Sequence, residues 1–251
     1  MKLPAAFCGE LQKDLARDFP MTHEEDFTFA ERREVFEELG PYRLIQNRRG
    51  GFRLTRDTIL LTEFLSPLDK DDSVIDLGTG AGIIPLILAW KSPAVNIVGV
   101  EVENGAASLA RRNLELNGLS SRAGIVERDF RGLPQIYPEG AFTVVVSNPP
   151  YTKACSGRTS PVKERAIARS EVLGNLTDLI NVSSYLAGKS GRIFYIFPVI
   201  RLFEMLDEVK KAGLRARRLK FVHTNPKKAA KLFLIEAGRA GELKVEDPVF
   251  L

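Results

Sequence analysis

Cysteine, histidine and long apolar runs are scarce in this chain. Only Cys8 and Cys155 occur in 251 residues. They lie far apart and match no metal or redox spacing. A disulfide scaffold is therefore not expected, and the sparse thiols fit a reducing, cytoplasmic setting. The two histidines, His23 and His223, have no neighbours in sequence that would complete a triad or a metal set, so no metal is expected. No run of about 18 apolar residues exists, so no membrane span is expected. The first residues lack a basic start followed by an apolar core, so no signal peptide is expected either. There is no internal repeat or low-complexity tract.

Apolar residues make up 44% of the chain and charged residues 27%, as in an ordinary globular protein. The net charge of +4 conceals an asymmetry. Residues 1–150 carry 17 Lys+Arg against 22 Asp+Glu, whereas residues 151–251 carry 19 against 10. From Val209 to Leu232 there are nine basic residues and no acid. Such a one-sided field attracts polyanions.

The first 38 residues are polar and weakly periodic, an extension expected to be partly disordered or to form a short helix at "TFAERREVFEEL". "YRLIQNRRGGFRLT" (Tyr42–Thr55) reads as a β-hairpin around Arg-Arg-Gly-Gly, and "RDTILLTEFL" (Arg56–Leu65) as a helix. From Ser73 strands and helices alternate: "SVIDL", "IIPLILAW", "NIVGVEV", "GAASLARRNLELNG", "GIVERD", "AFTVVVS", then "LTDLINVSSYLAG", "GRIFYIFP" and "RLFEMLDEVKKAG". This alternation predicts an α/β fold with a doubly wound, mostly parallel sheet. The last two strands, in "RLKFVHTNPKKAAKLFLIEA", are joined too closely for a crossover helix, so they should be antiparallel. The expected organisation is an extension over 1–38 and one domain over 39–251. That domain comprises the hairpin and helix 42–65, a core 73–150, a polar loop 151–170 and a basic part 171–251.

Two motifs carry chemistry. The first, "DLGTGAG" (Asp76–Gly82), joins a strand to a helix. Its glycines, Gly78, Gly80 and Gly82, permit a tight turn and close approach of a ligand. The spacing differs from the dinucleotide fingerprint, and no Gly-Lys-Ser/Thr is present. Asp76 would repel a pyrophosphate but suits a ligand carrying an ammonium group. Glu101 ends the next strand, where a carboxylate can accept bonds from both hydroxyls of a ribose. Asp129 and Phe130 end the strand after, an acid and a ring suited to an adenine. An adenosyl group joined to an amino-acid ammonium describes S-adenosylmethionine. The second motif, "SNPPY" (Ser147–Tyr151), stops a core strand with two prolines.

"VIDLGTGAGIIPL", "GVEVE", "RDF" and "SNPPY" together resemble the class I S-adenosylmethionine methyltransferases, in their amino-methylating branch. "GGFRLTRDTILLTEFL", "SGRTSPVKERAIARSE" and "LKFVHTNPKKAAKLFLIEA" are similar to the bacterial tRNA(Val) adenine-N6 methyltransferase family. The resemblance runs from about Tyr42 to the C-terminus. It implies a seven-stranded class I sheet, S-adenosyl-L-methionine as cofactor and tRNA as partner; for the oligomeric state, which the sequence does not give, a monomer is the default. It also implies cofactor contacts from Thr79, Val102, Asn148 and Thr55, the last standing where family members often carry serine.

The resemblance gives Asn148, Pro149, Pro150 and Tyr151 the catalytic positions. An adenine N6 amine is a poor nucleophile because its lone pair is delocalised. The Asn148 oxygen and the Pro149 carbonyl can accept its two N–H groups and stabilise positive charge as it develops. The prolines fix that carbonyl, and Tyr151 can stack on the base. Candidate phosphate contacts are Arg158, Lys163, Arg165 and Arg169 in the loop, and Lys210, Lys211, Arg215, Arg217, Arg218, Lys220, Lys227 and Lys228 in the basic segment. The same motif also suits methylation of a protein glutamine amide or of a guanine N2 in rRNA. A non-catalytic RNA-binding protein of this fold is a further alternative.

Overall fold

The computed structural model describes residues 34–47, 53–65, 67–92, 96–149 and 175–251. An antiparallel hairpin comes first, β1 (Glu34–Leu39) and β2 (Tyr42–Asn47). Helix α1 (Arg56–Leu65) follows, then β3 (Ser73–Leu77), α2 (Ile83–Lys91), β4 (Asn96–Glu101), α3 (Asn104–Leu116) and β5 (Ala123–Glu127). A 3-10 helix (Phe130–Gln135) leads to β6 (Val144–Ser147), α4 (Leu176–Ala187), β7 (Arg192–Pro198) and α5 (Leu202–Lys211). The chain ends with β8 (Arg215–His223), β9 (Leu232–Gly238) and two short strands, β10 (Lys244–Val245) and β11 (Val249–Phe250).

The central sheet has the order β8-β9-β7-β6-β3-β4-β5. β7, β6, β3, β4 and β5 are mutually parallel. β9 runs antiparallel to both β7 and β8, as the short connection between the last strands predicts. This is the class I seven-stranded arrangement. Alternate strand residues face opposite sides. Val74, Ile97, Val144 and Val146 pack towards α1, α2 and α3. Ile75, Leu77, Val100 and Val145 pack towards α4 and α5. All four residues of β6 are buried, the pattern of a strand covered on both faces.

The hairpin departs from the sequence-based expectation. Its turn is Gly40-Pro41, with Leu39 opposite Tyr42; the expected Arg-Arg-Gly-Gly turn lies outside the described residues, and residues 53–55 beyond it form no strand. Gly40 has φ 58, a conformation that glycine adopts without strain at the first loop position of a type II′ turn. The helix expected over "TFAERREVFEEL" is corrected at its end, because Glu34–Leu39 is a strand. Pro41 discourages a helix immediately before it, and docking supplies the rest. The free edge of β2 pairs with side chains of α3. Asn113 Oδ1 accepts from Ile45 N at 2.7 Å, and its Nδ2 donates to Ile45 O and Ala81 O. Asn117, one turn on, does the same for Arg43 N and O. Two asparagines four apart thus stand in for a neighbouring strand. The Arg112 guanidinium clasps Glu34 through two bonds of 2.7 and 2.9 Å, and Trp90 packs against the turn at Gly40.

The C-terminal tail adds strands that the sequence pattern does not predict. β10 and β11 both pair with β8, which covers an edge that would otherwise expose a row of unpaired backbone groups. No helix among the described residues is long and apolar enough to cross a membrane.

Candidate active site

Strand order reverses between β3 and β6: β4 and β5 extend one way and β7 the other. Loops leaving the carboxyl ends of two such strands diverge and open a crevice. Both motifs leave from this point. β3 and β6 are hydrogen-bonded neighbours, with Asp76 opposite Val146. The glycine loop therefore begins beside Asn148. Ser147 ties the two ends together, its hydroxyl donating to Leu77 O at 2.6 Å.

Gly78, Gly80 and Gly82 all have positive φ, at 79, 57 and 76. They use that freedom for different purposes. A Cβ on Gly78 would meet nothing within 4 Å, so the backbone there borders open space. A Cβ on Gly82 would lie 3.1 Å from Ala110 Cβ, so this glycine lets the loop press against α3. The loop folds back over β4, with Gly78 N and Thr79 N both donating to Val100 O at 2.9 Å. Gly99 on β4 is needed as well, because a Cβ there would approach Thr79 to 2.9 Å.

Asp76 is fully buried. Among the described residues neither carboxylate oxygen has a hydrogen-bond partner, and nor does the Thr79 hydroxyl. Burial pushes the Asp76 carboxyl from 3.8 up to about 7. The nearby Thr79 hydroxyl, close enough to moderate the shift but not to bond, draws it down, and the Glu101 charge raises it further. A buried, unsatisfied carboxylate is costly. It makes sense beneath a site where a cation completes it.

Glu101 is also buried, but it is heavily engaged. Oε2 accepts from Gly80 N, and Oε1 accepts from Val102 N and Glu103 N, each at 2.9 Å. A carboxylate has about four lone-pair sites, so three are spent fastening the glycine loop to the end of β4. Val102 beside it is exposed. Asp129 caps the 3-10 helix by accepting from Arg131 N at 2.9 Å, and its carboxylate is clasped by the Arg131 guanidinium. That clasp holds the Asp129 carboxyl below the usual range. Phe130 is half-buried against the core.

Asn148 and Pro149 follow β6 and are half-buried. Asn148 Nδ2 donates to Thr58 Oγ1 at 3.1 Å. Thr58 in turn meets Thr55, whose hydroxyl lies 3.2 Å from that of Thr58 and accepts from Thr58 N. Thr55, expected at the cofactor, thus caps α1 and braces Thr58. Sequence reasoning does not single out Thr58. Its one signal is its place in "RLTRDTILLT", three residues after Thr55 in the first turn of a helix. Pro150, Tyr151, Arg158, Lys163, Arg165 and Arg169 lie outside the described residues.

The basic segment, continuous in sequence, is divided in space. β8 runs parallel to β6 and β7, so it starts at the amino edge of the sheet and ends at the carboxyl edge. Lys210, Lys211 and Arg215 lie at the amino edge, eight strand steps or about 26 Å from the catalytic edge. Lys211 is also paired with Asp207 and Glu208. In mid-strand, Arg218 bonds Glu236, Glu246 and Phe64 O, with its guanidinium 4.2 Å from the Phe64 ring centre. Lys220 pairs with Glu246 at 2.9 Å, and Arg217 bonds Ala240 O. These three secure the tail and α1. Within this basic segment, Lys227, Lys228 and Lys231 are exposed at that carboxyl edge. His223 anchors that turn through Nδ1 to Lys228 O at 2.8 Å.

The chain was compared with known proteins. The family described as "Methyltransferase small domain" matches residues 53–178. A Porphyromonas gingivalis protein named tRNA1(Val) (adenine(37)-N6)-methyltransferase is 34% identical over 164 residues, 64% of each chain. The match therefore spans a little under two thirds of that relative. An Aeromonas hydrophila protein of the same name is 30% identical over 196 residues, 78% of this chain and 80% of that one. Among solved structures, a predicted O-methyltransferase from Agrobacterium tumefaciens superposes with TM-score 0.61 at 22% identity, over 77% of this chain and 86% of its own. That likeness supports the fold.

Proposed function

The chain belongs to the methyltransferase small domain family, and on that premise we propose that it transfers a methyl group from S-adenosyl-L-methionine to N6 of an adenine in a tRNA anticodon loop. The observation that carries the cofactor is Asp76, a fully buried carboxylate whose two oxygens have no partner among the described residues, beneath a loop whose backbone borders open space at Gly78. Those residues fit the ammonium end of the cofactor. Glu101 retains one acceptor site for the ribose, and Asp129 with Phe130 suits the adenine. The relatives' printed names support the substrate.

The cofactor supplies an electrophilic methyl group on a sulfonium. The chain's own residues position the acceptor. Asn148 is oriented by the bond its amide nitrogen donates to Thr58 on α1, and in this reading its amide oxygen is the acceptor for the substrate. That oxygen and the Pro149 carbonyl would accept hydrogen bonds from the two amine N–H groups, which would leave the nitrogen lone pair available to the methyl group. The two acceptors stabilise the charge that grows on nitrogen. Alignment contributes much of the rate. The surplus proton leaves to water after transfer, and no strong base is needed.

The test is methyl transfer from labelled cofactor to total tRNA and, in parallel, to total protein, followed by nucleoside analysis. N6-methyladenine in the tRNA fraction is expected. Label confined to protein would point to glutamine methylation instead, and label in neither fraction would refute the reading.

A further inference from the structure

Ile200 and Phe203 are 92% and 87% exposed. They follow Pro198, at the carboxyl end of β7, on the 3-10 turn Val199–Arg201 and the first turn of α5. Residues three apart on such a turn share a face. The outward face of α5 continues with Asp207 and Lys210, which are polar, as a solvent-facing stripe should be. Only its first turn, at the catalytic edge of the sheet, is apolar. Arg201 between them is turned inward. It pairs with Glu204 at 2.9 Å and lies 5.1 Å from the Phe197 ring centre.

A cationic turn is fastened to this patch. Val199 N donates to Lys231 O at 2.9 Å, and Pro198 stands opposite Leu232 in the sheet. The turn is held in shape by Asn225, whose side chain accepts from Lys227 N at 3.0 Å, and by the His223 bond to Lys228 O. Lys227, Lys228 and Lys231 are exposed and make no ion pair among the described residues. Two large apolar side chains beside three such ammonium groups form a surface for a polyanion that also presents flat apolar faces. Unpaired nucleotides meet both requirements.

We propose that Ile200 and Phe203, with Lys227, Lys228 and Lys231, dock unpaired nucleotides flanking the target base. Bases stack on the apolar pair, and the lysines hold the neighbouring phosphates. The proposal rests on the reading that the acceptor amine belongs to RNA.

The test uses the full chain, total tRNA as probe and three measurements: RNA affinity across a salt series, methyl transfer, and cofactor affinity by calorimetry. Ile200→Ser with Phe203→Ser should weaken RNA binding roughly 5- to 100-fold without changing the salt slope. Lys227→Ala with Lys228→Ala should weaken binding and flatten the log–log salt slope by about 0.7 for each phosphate no longer neutralised. Cofactor affinity should hold in both. Should the serine pair lose cofactor binding, Phe203→Leu removes the ring alone and carries the same direction of effect. RNA affinity within about twofold of the parent for the apolar variants would overturn the proposal, since stacking is worth more than that. A change of oligomeric state or of protease sensitivity with unaltered RNA binding would overturn it too, by assigning the patch to a second copy or to the chain's own loop. Absence of methyl transfer to any RNA by the parent protein defeats the functional reading, while the binding arm still judges the surface.

Discussion

Replacing Asp76 with asparagine should make the unliganded protein more stable while abolishing cofactor binding. Asp76 is fully buried, and its carboxyl titrates at about 7 instead of 3.8. At about 1.36 kcal/mol per pH unit, ionising it in place costs the fold about 4 kcal/mol once the pH exceeds that value. Its contribution to stability is greatest below 3.8 and is lost as pH rises through about 7. Asparagine has nearly the same shape and no charge. Its amide is left partly unsatisfied beside Thr79, which costs about 1–3 kcal/mol. The net gain at about pH 8 is then about 1–3 kcal/mol, or roughly 2–10 °C in melting temperature for a domain of this size. Thermal melts of parent and variant, without cofactor, should cross as pH rises from about 4 to about 8, the variant melting below the parent at the acid end, where only the amide's cost remains, and above it at the alkaline end. With cofactor at about 100 times the parent's Kd, the parent should gain about 2.7 kcal/mol and the variant almost nothing. A variant that melts below the parent at the alkaline end, or a difference independent of pH, would refute the view that Asp76 is held charged for a ligand.

Cofactor affinity of the parent should rise as pH increases towards about 7, because below that value binding must first release the Asp76 proton. Calorimetry in buffers of different ionisation enthalpy should detect that proton. Asn148→Ala should abolish methyl transfer and leave cofactor binding mostly intact; a fully active variant would sink the proposed role. Thr58→Val should lower kcat by about tenfold through a looser Asn148, with cofactor affinity unchanged and activity largely restored by Thr58→Ser. Asn113→Ala strands Ile45 N, Ile45 O and Ala81 O, so chemical denaturation should report a loss of about 2–4 kcal/mol.

Alternation of strands and helices, the glycine loop and the strand-ending prolines are sufficient to read the sheet type and the crevice position from sequence. These are local signals. β-branched runs, φ-permissive glycines and helix-spaced apolar residues act within a few positions of where they are written. The acid at the end of each early strand is legible for the same reason.

Other features depend on contacts between distant segments, where sequence offers no ruler. The strand at Glu34–Leu39 looks helical in sequence, because what selects it is its partner strand β2, itself held by the asparagine edge of α3, whose Asn113 lies 68 residues beyond Ile45. Thr58 becomes meaningful only when β6 places Asn148 against α1. The basic stretch reads as one surface because sequence records neighbours along the chain. β8 crosses the whole sheet within that stretch, so Lys210 and Lys228 face opposite edges, and Arg218 is turned inward by Glu236 and Glu246. Composition determined that the second half of this chain is basic. Only the sheet, by sending a strand from one edge to the other, decided which of its cations stand beside the site.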